Sequence, residues 1–228
     1  MIPISDTVQR RHVPWMTWLL VAVNVAAFYH LASLPHRRLD ALIGRYALVP
    51  AAPRPAAWIA HMFLHGGLAH LVGNLWMLVL FGDDVEDRMG PLRFLAFYLL
   101  CGLAAAAVHV ETSAGSPLPV LGASGAIAGV MGAYLVMFPR ARLVVMLPPF
   151  FWWLFELPAV IYLGVWFYLQ VAQGSVGLGD EVAGGVAWWA HAGGFVAGLL
   201  LFGLFVRRDR WSFADPGYRP ARRSRRAW

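Results

Sequence analysis

The chain has 228 residues, 60% of them hydrophobic and only 13% charged, with a formal net charge of +6. With a mean hydropathy of +0.61 and about half the charge of an ordinary soluble domain, it has too little polar surface to cover a water-soluble globule. The cations are all arginine, and eight of the 18 lie between Arg207 and Arg226; after an apolar segment such a tail reads as a cytoplasmic anchor for anionic headgroups rather than a nucleic-acid-binding arm.

Six apolar segments follow one another, at about 15–34, 65–82, 92–110, 122–138, 150–172 and 184–206, each close to the roughly 20 residues that cross a hydrocarbon core. They predict an all-α membrane protein, a six-helix bundle over 15–206, with an N-terminal cytoplasmic tail at 1–14 and a basic cytoplasmic tail at 207–228. The first segment follows Arg10 and Arg11. It is longer than a signal-peptide core, and Pro35-His36-Arg37-Arg38 is no small-residue cleavage site, so it is expected to be retained. Charges Asp83 to Arg88, the Pro117 and Pro119 region, Pro139 to Arg142 and Gly174 to Glu181 mark the later connections. An even number of spans puts both termini on one side, and the arginine distribution assigns that side to the cytoplasm. The first connection is the exception, with Arg37, Arg38, Arg45 and Arg54 on the outer side. Cys101 is the only cysteine, so no intramolecular disulfide can form.

Polar residues inside spans are costly and are functional candidates by default. Here they are His65, His70 and Asn74 on the second span, Ser124 on the fourth and His191 on the sixth. Ser124 lies 16 residues before Arg140, and His191 lies 16 before Arg207. At a rise of 1.5 Å per residue both sit about 24 Å from the cytoplasmic end of a core about 30 Å thick. His70, 13 residues before Asp83, falls at the same level. Glycines four apart, Gly125 and Gly129 on the fourth span and Gly194 and Gly198 on the sixth, form faces that let backbones approach closely. Asn24, His30 and His109 read as packing or interfacial residues, and Glu156 as reaching the interface.

A serine hydroxyl becomes a useful nucleophile when a base takes its proton, and His191 is the only histidine on its span. No acid lies deep in any span, so the expectation is a Ser124–His191 dyad whose imidazole is oriented by packing or by a neutral partner. His70 and Asn74, at i and i+4, share a helix face. They can supply donors to a developing oxyanion or equally form a buried hydrogen-bonded couple. The HExxH pattern is missing and no carboxylate stands near His61, His65 and His70, so no metal and no cofactor is expected.

Four stretches carry a family resemblance. They are His65-Gly66-Gly67-Leu68-Ala69-His70-Leu71-Val72-Gly73-Asn74, Val85-Glu86-Asp87-Arg88-Met89-Gly90, Gly122-Ala123-Ser124-Gly125, and Ala190-His191-Ala192-Gly193-Gly194-Phe195-Val196-Ala197-Gly198. In this order they resemble the signatures of rhomboid intramembrane serine proteases, as do Trp166 and Gln170 on the fifth span. The resemblance implies a six-helix bundle that cleaves single-pass or polytopic membrane proteins in or near the lipid bilayer. Ser124 would be the nucleophile and His191 the base and then acid, while His70, Asn74 and the Ser124 N–H would hold the oxyanion. Span five and the loop before span six would form the substrate gate. The compartment expected is the plasma membrane of a prokaryote, with the site towards the outer side. The chain departs from the common family pattern at Ala56 and Ala57, where many members have Trp-Arg, and at Ala128, where many have an aromatic packed on the histidine. Two rival functions are a non-proteolytic relative that binds membrane clients, which generally lacks the serine or histidine, and a small transporter, against which the lack of inverted repeats speaks.

Overall fold

In the computed structural model the described residues are 1–148, 150–176, 187–207 and 209–210, with backbone alone at 150–152. The long apolar runs form helices: α1 (Trp15–Ala32), α4 (Leu68–Met89), α5 (Pro91–Thr112), α6 (Ser124–Met137), α7 (Ala159–Val176) and α8 (Trp188–Phe205). Two shorter helices, α2 (His36–Tyr46) and α3 (Ala57–Ala60), lie in the first connection. Five of these helices are long and apolar enough to cross a membrane, and α6, with 14 residues, is shorter. Their outward residues include Leu100, Tyr168, Leu200 and Leu204, as expected where the solvent is hydrocarbon rather than water.

The fold is mostly helical, as an α-helical membrane protein requires, with one small sheet beside the helices. A three-stranded antiparallel sheet joins β1 (Ile2–Asp6), β2 (Arg142–Leu147) and β3 (Phe150–Pro158) in that order. This corrects the fifth span, expected from residue 150: its helix starts at Ala159, and the nine residues before it form β3, six of them in register with β2. An apolar run does not itself distinguish a strand from a helix; aromatic-rich Phe150–Pro158, paired with the β-branched Val144 and Val145 of the central strand β2, takes the strand. Glu156 lies on β3 opposite Val144, 3.5 Å from Arg142. The first strand comes from the segment read as an N-terminal tail, and Tyr134 on α6 donates a 2.6 Å hydrogen bond to Asp6.

The second span also differs. It runs to Met89 rather than ending at 82, so the charges expected in a connection are helical, and Asp84, Glu86, Asp87 and Arg88 are buried. Each carboxylate among Glu86 and Asp87 has work to do. Glu86 accepts hydrogen bonds from the Met16 and Thr17 N–H groups and the Thr17 hydroxyl at 2.7–2.9 Å, capping α1, which has no capping side chain of its own. Asp87 holds His12 at 2.6 Å and Arg88 at 2.7 Å. Gly90, at φ +81°, turns the chain between α4 and α5, with Pro91 at the first position of the next helix.

Helix α6 is the centre of the bundle: eleven of its 14 residues are buried, and it packs on α4, α5 and α8. A Cβ on Gly198 would fall on the Gly129 carbonyl oxygen, one on Gly194 on the Gly125 carbonyl oxygen, and one on Gly132 on the Phe195 carbonyl oxygen. The glycine faces therefore do what their spacing predicts, bringing the two backbones into direct contact.

Candidate active site

Three helices begin at one level of the bundle, and each begins with a polar residue of interest. Ser124 is the first residue of α6, His191 the fourth of α8 and His70 the third of α4. The head of α6 is fixed from the first connection. The Gly122 N–H donates to the His61 carbonyl at 2.9 Å, and Leu48 and Val120 exchange backbone hydrogen bonds. Gly122 takes φ +123°, a conformation that favours glycine, and Ser124 follows two residues later with its own N–H among the donors that a helix start leaves free.

Close contact of α6 with α8 then sets Ser124 Oγ 2.8 Å from His191 Nε2. The other ring nitrogen, Nδ1, lies 2.8 Å from Gln170 Oε1 on α7. Gln170 is buried, and its amide Nε2 donates to the Trp166 carbonyl one turn earlier at 3.3 Å. This back-bond turns Oε1 towards the imidazole. Nδ1 then carries the proton, and Nε2 presents its lone pair to the serine hydroxyl. Trp166 stacks over the ring at 6.0 Å between centroids, and Trp188 meets it edge-on at 6.3 Å. With Ala128 in place of an aromatic, α7 and α8 supply the packing. The neutral partner expected for His191 is thus Gln170. Its bond was not predicted, although a polar side chain inside an apolar helix, four residues from Trp166, was the available signal.

His70 and Asn74 both face the turn before Ser124. A Cβ on Gly122 would lie 2.8 Å from His70 Nε2 and 3.4 Å from Asn74 Nδ2. Asn74 is 8% exposed, and its Nδ2 has no acceptor among the described residues. The hydrogen-bonded His70–Asn74 couple is not formed; instead a buried donor points to the head of α6. His65 packs edge-on against His70 at 5.2 Å, and His61 bonds the Ala57 carbonyl through Nδ1 at 2.8 Å. Among the described residues no three histidine, cysteine or carboxylate side chains are arranged to hold a metal ion. Ser124 and His191 are partly exposed and His70 is exposed, so small molecules can reach the layer. The segment 177–186, in the loop expected to form part of a gate, lies outside the described residues, as does the tail beyond Arg210.

A Rhomboid domain family model matches residues 53–208. RHOMBOID-like protein 5 of Arabidopsis thaliana is 27% identical over 91% of this chain and 74% of its own length. The Rhomboid protease GluP of Bacillus subtilis is 32% identical over 54% of this chain, and Rhomboid protein 1, mitochondrial, of Saccharomyces cerevisiae is 26% identical over 87%. The chain spans 24% of the length of the bacterial relative and 55% of the yeast one. A plant, a bacterial and a mitochondrial protein do not single out a prokaryotic plasma membrane. They do agree with the apolar helices on a membrane setting, and with a family match over two thirds of its residues this chain belongs to the rhomboid family of integral membrane proteins.

Proposed function

We propose that the chain is an intramembrane serine endopeptidase that cleaves transmembrane segments of other membrane proteins through a Ser124–His191 dyad. The observation that carries this reading is the 2.8 Å contact between His191 Nε2 and Ser124 Oγ, with Nδ1 engaged by Gln170. His191 takes the serine proton as Oγ attacks the scissile carbonyl, then returns it to the leaving amine; water repeats the cycle to release the acyl-enzyme. The tetrahedral oxyanion is received by Asn74 Nδ2, the Ser124 N–H and His70, which stand ready at the head of α6 and cost no reorganisation.

In this reading six helices cross the membrane, with both termini in the cytoplasm and residues 15–206 as the protease domain. The 14 residues of α6 then cover only about 21 Å. A helix that short leaves Ser124 below the outer surface, within reach of a transmembrane substrate. The partners are single-pass or polytopic membrane proteins. A serine-directed fluorophosphonate tests the reading. Purified wild-type protein is expected to label at Ser124 and to cleave a reconstituted transmembrane substrate, and Ser124→Ala is expected to do neither. Labelling that persists in Ser124→Ala, with no cleavage by folded wild type, overturns it.

A further inference from the structure

Helix α4 has a second face. His70, Asn74 and Leu78 lie on the side of α4 that faces α6, whereas Leu75, Trp76, Val79 and Asp83 lie on another side by helical periodicity. On that side a cavity of about 600 Å³ opens between α4 and the N-terminal segment, a volume within the range of small-molecule sites. Its apolar wall is Leu75, Trp76 and Val79 together with Ile4 and Val8. From Val72 at one end to Asp84 at the other it follows 12 residues of α4, about 18 Å, and both Val72 and Trp76 are exposed to the surroundings of the bundle. Trp76 Nε1 donates to the Pro3 carbonyl at 2.7 Å, so the wall of the groove is tied to β1.

The charged end has a particular composition. Asp6, Asp83 and Asp84 line it with a single guanidinium, Arg10, 2.9 Å from Asp83. Arg10 is about half exposed and retains N–H donors beyond the one on Asp83. An anionic headgroup would find a single cation there, Arg10, already paired with Asp83 and set among three carboxyl groups. A quaternary ammonium could not donate to them. A primary ammonium donates three hydrogen bonds, and a phosphodiester beside it would reach Arg10.

We propose that this groove binds phosphatidylethanolamine, one acyl chain lying along α4 from Asp84 towards Val72, the ammonium on the carboxylates and the phosphate on Arg10. The site is distinct from the serine–histidine layer and does not depend on proteolysis. The test uses the full chain reconstituted in bilayers of equal parts phosphatidylethanolamine, phosphatidylcholine and phosphatidylglycerol, with lipids retained after extraction identified by native mass spectrometry. Phosphatidylethanolamine should be enriched about fivefold over either competitor, and Asp83→Asn combined with Asp84→Asn should abolish the enrichment. Val79→Trp, which fills the groove and leaves the carboxylates, should also abolish it, and decides the matter if the double variant does not fold. Retained lipid that mirrors the bilayer, favours phosphatidylglycerol, or keeps its phosphatidylethanolamine excess in folded Val79→Trp protein overturns the proposal.

Discussion

The two ends of helix α4 treat polar groups in opposite ways. At the end near Met89 two buried carboxylates are consumed: Glu86 accepts three hydrogen bonds from α1, and Asp87 binds His12 and Arg88. Near Leu68 the polar groups are held in reserve. Asn74 Nδ2 has no acceptor and both nitrogens of His65 have none, among the described residues. A buried donor without a partner costs roughly 1–3 kcal/mol, and native structures tolerate few. The contrast separates residues that hold the bundle together from residues kept free to meet something the bundle does not supply.

The sharpest way to break that separation is at Ser124. Ser124→Ala is expected to lower cleavage by at least about 10⁴-fold while leaving the thermal unfolding midpoint unchanged. Cleavage that survives would show that the reserved groups serve another chemistry.

Asn74→Ala comes next. If Nδ2 waits for an oxyanion, kcat should fall about 10²–10³-fold, and stability should rise or stay level because an unsatisfied donor is removed. Lost stability with full activity would place Asn74 with the structural end of α4. Glu86→Gln probes that other end. Two N–H groups and a hydroxyl lose a charged acceptor, for a cost of about 2 kcal/mol. A melting midpoint lower by about 5 °C, with unchanged kcat in the folded fraction, is the expected result; a fall in kcat without a fall in melting temperature would erase the distinction between the ends.

The reserved end was the more legible of the two in the sequence, and for a physical reason. In hydrocarbon a serine, histidine or asparagine is conspicuous, and helix geometry turns residue counts into depth, so Ser124, His191 and His70 could be placed in one layer before any contact was known. The glycine pairs 125/129 and 194/198 likewise carry their meaning in their spacing. The structural end was misread because Asp83 to Arg88 has the composition of a solvated turn; the capping of α1 by Glu86 and the pairings of Asp87 with His12 and of Asp83 with Arg10, all with distant sequence, allow those charges to be buried in a helix. Phe150–Pro158 was misread for the complementary reason: its pairing partners, β2 and through it β1, lie outside the run itself. Gln170 was visible as a polar residue on an apolar helix, but the rotation of α7 that aims it at His191 depends on packing, which no local pattern encodes.

Gln170 gives the smallest predicted effect and the finest test of where the reserved end stops. Unlike Asn74, it is already spent: Oε1 accepts from His191 Nδ1 at 2.8 Å, and Nε2 bonds Trp166 at 3.3 Å. Its contribution to the reaction is therefore exerted through the imidazole. Without it the ring keeps its stacking on Trp166 and its edge contact with Trp188 but loses the acceptor that selects the tautomer with Nε2 free. Losing one neutral hydrogen bond of about 1 kcal/mol corresponds to roughly a five- to tenfold fall in kcat, with KM unchanged. Gln170→Ala also removes volume beside the ring, so Gln170→Met, which restores volume without an acceptor, separates the causes. Equal losses in both variants assign the effect to the hydrogen bond; full activity in the methionine variant would mean that packing by the tryptophans alone orients His191.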